Sequence, residues 1–126
     1  MKGILLFGHG ARNPEWAQPF HRIRDAILGR EPEALVEPGF LELMQPTFDD
    51  GVDCLVRQGA MEIVVVPIFM AAGSHVKKDL PGMAAAAMDR HAGLVIELAA
   101  PVGEAEPVLA AMADYALGAR SSATSL

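Results

Sequence analysis

One cysteine, Cys54, is too few for any disulfide within the chain, which removes the disulfide-stapled small domains of oxidising compartments from consideration. Basic residues are outnumbered, 10 Lys and Arg against 16 Asp and Glu, for a formal net charge of −6. A chain this acidic lacks the basic face that general nucleic-acid binding needs. Long apolar runs are missing too. The longest, Ile63 to Ala72, is broken by Pro67 and falls far short of a bilayer span. Ile4 to Phe7 is likewise too short for the core of a signal peptide. Together these absences point to a cytoplasmic protein with neither a nucleic-acid nor a membrane partner.

Several motifs are absent as well. No Gly-x-x-x-x-Gly-Lys-Ser/Thr loop is present, which sets ATP-driven chemistry aside, and Gly8-His9-Gly10 is not the Gly-x-Gly-x-x-Gly of dinucleotide folds. No acidic cluster ends the first apolar run, as a phosphoacceptor receiver domain would need, and no Ser sits on a strand-to-helix elbow.

What is there is an apolar chain of 126 residues, 52% hydrophobic despite its net charge. The length fits one domain, residues 3–118, with 119–126 as a small, polar, disordered tail. A parallel sheet covered on both faces absorbs much of the apolar surplus, and a subunit interface absorbs more.

The patterning alternates between strand and helix. Ile4 to Phe7 reads as a first strand, followed by an N-cap at Asn13, a first helical residue at Pro14 and an inward stripe of Trp16, Phe20, Ile23 and Ile27. His21, Arg22 and Asp25 fall off that stripe. Ala34 to Phe40 reads as a second strand with an irregular end at Pro38-Gly39, then a helix from Pro46 to Gly59 with Phe48, Val52, Leu55 and Val56 inward and Cys54 beside them. Ile63 to Phe69 is the clearest strand, β-branched and central, with Pro67 marking its carboxyl end. A loop from Met70 to Lys78 leads to a helix from about Asp79 or Pro81 to His91, with Leu80, Ala84, Ala87 and Met88 inward. His91 is placed to meet the helix C-terminal dipole. Leu94 to Leu98 reads as a fourth strand and Glu104 to Leu117 as a last helix burying Val108, Met112 and Tyr115. The result is a three-layer α/β fold: a four-stranded parallel sheet flanked by helices.

In such a sheet ligands bind at the carboxyl ends of the strands. Strand one brings His9 and Arg12 to that edge, strand two Glu42 with Met44, and strand three Phe69, Met70, Ser74, His75, Lys77, Lys78 and Asp79. Each has a duller explanation: Glu42 as a helix cap or a partner of Lys77, His75 as a loop brace, the lysines as a solvated run. Their joint placement favours a site. Two imidazoles and a carboxylate suit a first-row divalent transition metal better than Mg²⁺ or Ca²⁺, and an incomplete ligand set leaves positions open.

Gly8-His9-Gly10-Ala11-Arg12, then Gly39-Phe40-Leu41-Glu42 with Pro46, then Val66-Pro67-Ile68-Phe69 leading into Gly73-Ser74-His75-Val76-Lys77-Lys78-Asp79-Leu80-Pro81, resemble the short-form sirohydrochlorin chelatases. These are ATP-independent class II tetrapyrrole chelatases. The resemblance covers residue 3 to about residue 100, with Ala11 standing where many members carry a small hydroxyl residue. It implies insertion of Co²⁺, Fe²⁺ or Ni²⁺ into sirohydrochlorin for cobalamin, sirohaem or a related tetrapyrrole, without an organic cofactor. It also implies a homodimer in which each subunit resembles half of the longer chelatases. On that resemblance His9 and His75 are the paired active-site histidines and Glu42 the neighbouring carboxylate, the three acting both as metal ligands and in the reaction. Imidazole, which titrates near about pH 6.5 when unperturbed, can hold the ion and accept a pyrrole proton. Arg12, Lys77 and Lys78 are placed to meet the substrate's carboxylates, and Met44, Phe69, Met70 and Ser74 to line its ring. Two other readings use the same residues: a non-catalytic metal carrier, and a histidine phosphatase with His9 as phosphoacceptor. The second suffers from Gly8 standing where such sites carry an Arg.

Overall fold

The computed structural model describes residues 1–71, 73–122 and 124, and of His75 the backbone alone. Strands β1 (Lys2–Gly8), β2 (Leu35–Phe40), β3 (Glu62–Pro67) and β4 (Val95–Leu98) form one parallel sheet in the order β2-β1-β3-β4. Helices α1 (Gln18–Arg30), α2 (Phe48–Arg57) and α3 (Ser74–Arg90) alternate with them, and α4 (Glu106–Ser122) follows β4. The chain steps from β1 to β2 on one side and then returns past β1 to β3 on the other. Right-handed crossovers therefore send α1 to one face and α2 and α3 to the opposite one.

The two cores follow from this. Leu5 and Phe7 of β1, Ile63 and Val65 of β3 and Ile96 of β4 pack against Phe48, Val52 and Leu55 of α2 and Val76, Leu80, Ala84 and Ala87 of α3. On the other face Leu6 of β1 and Val36 and Phe40 of β2 meet Phe20, Ile23 and Ile27 of α1. Strand β1 is buried on both faces, which is why it reads as a continuous apolar run with no alternation.

Five expectations need correction. The segment after Asn13 starts as a one-turn 3-10 helix, Pro14–Ala17, before α1 begins, and the changed winding takes Trp16 off the inward stripe, leaving it 66% exposed. Strand β2 runs regularly through Pro38 and Gly39; it is an edge strand, where a missing N–H is tolerated. Helix α2 starts after Thr47, whose side chain and Asp50 form a reciprocal capping box, so Pro46 lies outside it. Helix α3 starts at Ser74, five residues before Asp79, and carries Pro81 in its interior. Helix α4 buries none of its residues: Met112 and Tyr115 are exposed, and it continues through Ala119–Ser122, part of the stretch expected to be a tail. Residues 123, 125 and 126 of that stretch lie outside the described residues.

His91 also has a more definite partner than the helix dipole. Its Nε2–H donates to Asp53 Oδ1 on α2 at 2.7 Å, and Arg90 Nη2 donates to the same oxygen at 2.9 Å. Arg90 Nη1 reaches Asp49 at 3.2 Å. The Arg90 hydrogen bond, then that from His91, hold the Asp53 carboxyl below its ordinary value of 3.8, and Asp53 in turn raises Arg90. This cluster ties the C-terminal end of α3 to the first half of α2.

Candidate active site

Strand β1 lies between β2 and β3, so the loops leaving all three open side by side. Because the connections from β1 and β3 run to opposite faces, the gap between them is the topological switch point, where open α/β sheets bind ligands. His9 is the first residue past β1 and is exposed. Its ring lies against Phe69, just past β3, with centroids 4.8 Å apart and planes inclined by 37°. The Phe69 ring meets Phe7 edge-on at 6.2 Å, so the imidazole is backed by the hydrophobic core.

The loops after β1 and β2 are joined by their backbones. Leu41 N–H donates to the Gly8 carbonyl at 2.9 Å and Glu42 N–H to that of His9 at 3.2 Å. Gly10 follows at φ +90°, and a Cβ there would stand 1.9 Å from the Glu42 carbonyl oxygen. Only glycine fits both the conformation and the approach. Glu42 is therefore held next to His9 by main chain, and its own side chain is exposed. Leu43, beside it, takes φ 69°, a conformation that costs a non-glycine residue about 1 kcal/mol or more. The loop is closed behind by Phe40 N–H donating to the Pro46 carbonyl at 2.9 Å.

His75 is the second residue of α3, after the N-cap Gly73, on the β3 side of the same gap. Its side chain lies outside the described atoms. Among the described residues no group of three His, Cys, Asp or Glu side chains could hold a metal ion together, so the His9–His75–Glu42 set stands here as a backbone placement.

Beside His9 opens a cavity of about 320 Å³ with mostly apolar walls: Trp16, Phe20, Phe40, Met44, Ile68 and Phe69, and the Gly10-Ala11 backbone. Met44 and Phe69, read from the sequence as ring-lining residues, are among its walls. Trp16 lines it unforeseen; the stripe pattern that placed it in the core hid it, and only the 3-10 turn reveals it. Phe69 and Lys77 also line a second apolar hollow of about 140 Å³ toward α3 and β4. Arg12, Met70, Ser74 and Lys78 are exposed residues of this end of the molecule that line neither cavity. Ser74, Lys77 and Lys78 lie in the first turns of α3, whose first turn carries no acidic residue, so the helix dipole adds to the lysine charges. A larger, more open depression of about 680 Å³ lies at the opposite end, around Met1, Lys2 and residues 31–35, and has no imidazole in its lining.

An imidazole at the switch point of a small parallel α/β sheet, backed by aromatic rings and opening onto an apolar cavity, defines a ligand-binding α/β domain equipped for metal or proton chemistry. Comparison with known proteins narrows that class. The CbiX family model matches residues 3–117, and the chain belongs to that family. A protein of Sulfurisphaera tokodaii named sirohydrochlorin cobaltochelatase is 36% identical over 108 residues, covering 86% of this chain and 85% of the relative. The matches to four methanogen relatives of the same name cover 57% to 64% of those proteins' lengths. Among solved structures, the CbiX protein of Marinobacter aquaeolei VT8 superposes with a TM-score of 0.84 at 28% identity, over 98% of this chain and all of that one. The sirohydrochlorin chelatase SirB of Bacillus subtilis subspecies spizizenii, in complex with cobalt, superposes with a TM-score of 0.77 at 31% identity, over 93% of this chain and 50% of SirB.

Proposed function

We propose that this chain is an ATP-independent chelatase, a lyase that inserts a divalent transition metal, Co²⁺, Fe²⁺ or Ni²⁺, into sirohydrochlorin. The observation that carries the reading is His9, fixed on Phe69 at the β1–β3 gap beside an aromatic-walled cavity, in a chain of the CbiX family. The names of the relatives support the substrate and favour cobalt among the three ions.

Each residue has a task in this proposal. Insertion removes the two inner N–H protons of the macrocycle while the ion sheds water. His9 and His75 hold the incoming ion weakly enough to release it and accept the protons, and Glu42 completes the ligation or carries protons outward. Trp16, Met44, Phe69 and Met70 meet the ring face. Arg12, Ser74, Lys77, Lys78 and the α3 N-terminus meet the peripheral carboxylates, Arg12 in bidentate fashion and the lysines as point charges.

Residues 3–118 serve as one functional unit, which works in the cytoplasm as a homodimer. What supports the pairing is that this chain matches half of SirB's length. The test is anaerobic metallation of sirohydrochlorin followed by absorbance, with each of the three ions and with and without protein. Acceleration above the spontaneous rate is expected. Tight metal binding without acceleration would make the protein a carrier.

A further inference from the structure

A tetrapyrrole with carboxylate arms is larger than the cavity beside His9, whose volume of about 320 Å³ lies at the small end for small-molecule sites. Parts of the ligand therefore rest elsewhere. The second hollow, of about 140 Å³, opens on the α3 side of Phe69, and among the described residues Phe69 alone lines both.

Three prolines, Pro67, Pro81 and Pro101, stand in the wall of this second hollow, with Leu80 of α3 and Leu98 of β4. Each proline has a fixed φ and no N–H, so the wall is stiff and offers water few donors. The segment after β4 is pinned as well. Ala99 N–H donates to the Val65 carbonyl at 2.9 Å, and Gly103 N–H donates to that of Phe69 at 3.2 Å. A Cβ on Gly103 would stand 1.9 Å from the Met70 carbonyl oxygen, so this segment lies tight against the loop after β3. The hollow is thus built before a ligand arrives, and filling it costs little ordering.

One charge stands among these apolar groups. Lys77 is exposed, is the only ionisable residue of the lining, and joins none of the ion pairs among the described residues. Apolar walls with one ammonium at the rim fit a short hydrocarbon stem ended by a carboxylate. The stem leaves water, while the carboxylate stays at the rim with Lys77 and escapes the cost of burying a charge. The size agrees: an apolar cavity of about 150 Å³ holds a benzene, and a carboxyl group on one or two carbons is smaller.

We propose that this hollow is a subsite for one carboxylate-ended arm of the macrocycle, which crosses Phe69, buries its stem against the prolines and sets its carboxylate on Lys77. The proposal rests on the chelatase reading above. It makes Leu98, Ala99 and Pro101, which the metal chemistry does not use, determinants of substrate binding. An arm held there also fixes the rotation of the macrocycle over His9.

Steady-state insertion of Co²⁺ into sirohydrochlorin by the full chain, with the spontaneous rate subtracted, tests this. Ala99→Leu fills the hollow and Lys77→Met removes its charge, with folding checked by circular dichroism. Leu98→Trp, at a position 40% exposed, takes the place of Ala99→Leu should that variant not fold. Each single variant is expected to raise the KM for sirohydrochlorin about tenfold, with kcat and the KM for Co²⁺ within about twofold of wild type. The double variant is expected to lose no more than the worse single one, because both act on one arm. A KM for sirohydrochlorin that stays at the wild-type value when the hollow is filled would overturn the subsite and leave the chelatase standing. So would losses that multiply in the double variant, or a change in kcat or in the KM for Co²⁺ as large as that for sirohydrochlorin. A wild type that does not accelerate insertion would overturn the chelatase reading and the arm subsite with it.

Discussion

At the scale of single residues, the site depends on side chains fixed by their neighbours. His9 owes its position to Phe69 behind it and to the Gly8–Leu41 and His9–Glu42 backbone bonds beside it. Gly10→Ala would force a Cβ against the Glu42 carbonyl at a positive φ. It is expected to cost about 1–3 kcal/mol in a chemical melt and to lower insertion more than stability alone explains, since the clash displaces both His9 and Glu42. Trp16 is the chain's one tryptophan and stands at the cavity mouth. Its fluorescence is expected to be quenched on titration with metal-free sirohydrochlorin. Trp16→Ala should raise KM about three- to tenfold with kcat nearly unchanged, the signature of lost ring binding. An unquenched Trp16 would place the macrocycle elsewhere. That the His-Gly turn and Glu42 lie at the carboxyl edge was legible from the order of residues, whereas the His75 segment read as a loop and is the start of α3. Trp16 was not legible, because a 3-10 turn and an α-turn read alike in sequence yet point their third residue differently.

At the scale of elements, α3 departs furthest from its expected boundaries. Pro81 reads as a helix start, but it is the eighth residue of α3, where it cannot donate to the Lys77 carbonyl, and the helix passes through it because buried Val76 and Leu80 anchor the preceding turns against the core. The earlier start matters for function: it turns the Ser74–Lys78 segment from loop into a helix N-terminus facing the site. At its other end α3 is held by Asp53. Because the folded pKa of Asp53 lies below its unfolded value, the stabilisation is complete above about pH 4–5 and is lost as pH falls through the depressed folded value. More than a third of the Asp53 and Arg90 side chains is solvent-exposed, so solvent screens the pair. Asp53→Asn is therefore expected to cost only about 0.5–1 kcal/mol at pH 7 and to flatten the acid limb of the stability curve, measured by urea melts from pH 2.5 to 7. Metal insertion at neutral pH should be unchanged, because none of these side chains lines the cavity beside His9.

At the scale of the whole molecule, strand order decides function. Placing β1 between β2 and β3 brings three loops, from residues widely separated in sequence, to one edge. The alternation of strands and helices was readable because each strand is a short apolar run and each crossover carries a 3.6-residue period. Helix α4 was read as core for the same reason, and its bareness is visible only once the chain is folded. Apolar periodicity tells that a surface must be covered, not by which molecule. The central claim is that His9 and His75 act on the metal and the pyrrole protons, and not that they merely shape a loop. The most direct test compares anaerobic initial rates of Co²⁺ insertion into sirohydrochlorin for wild type, His9→Ala and His75→Ala, with the spontaneous rate subtracted and folding verified by circular dichroism. The prediction is acceleration by the wild type and loss of it to the spontaneous rate in either variant. Full activity in both folded variants would contradict the account.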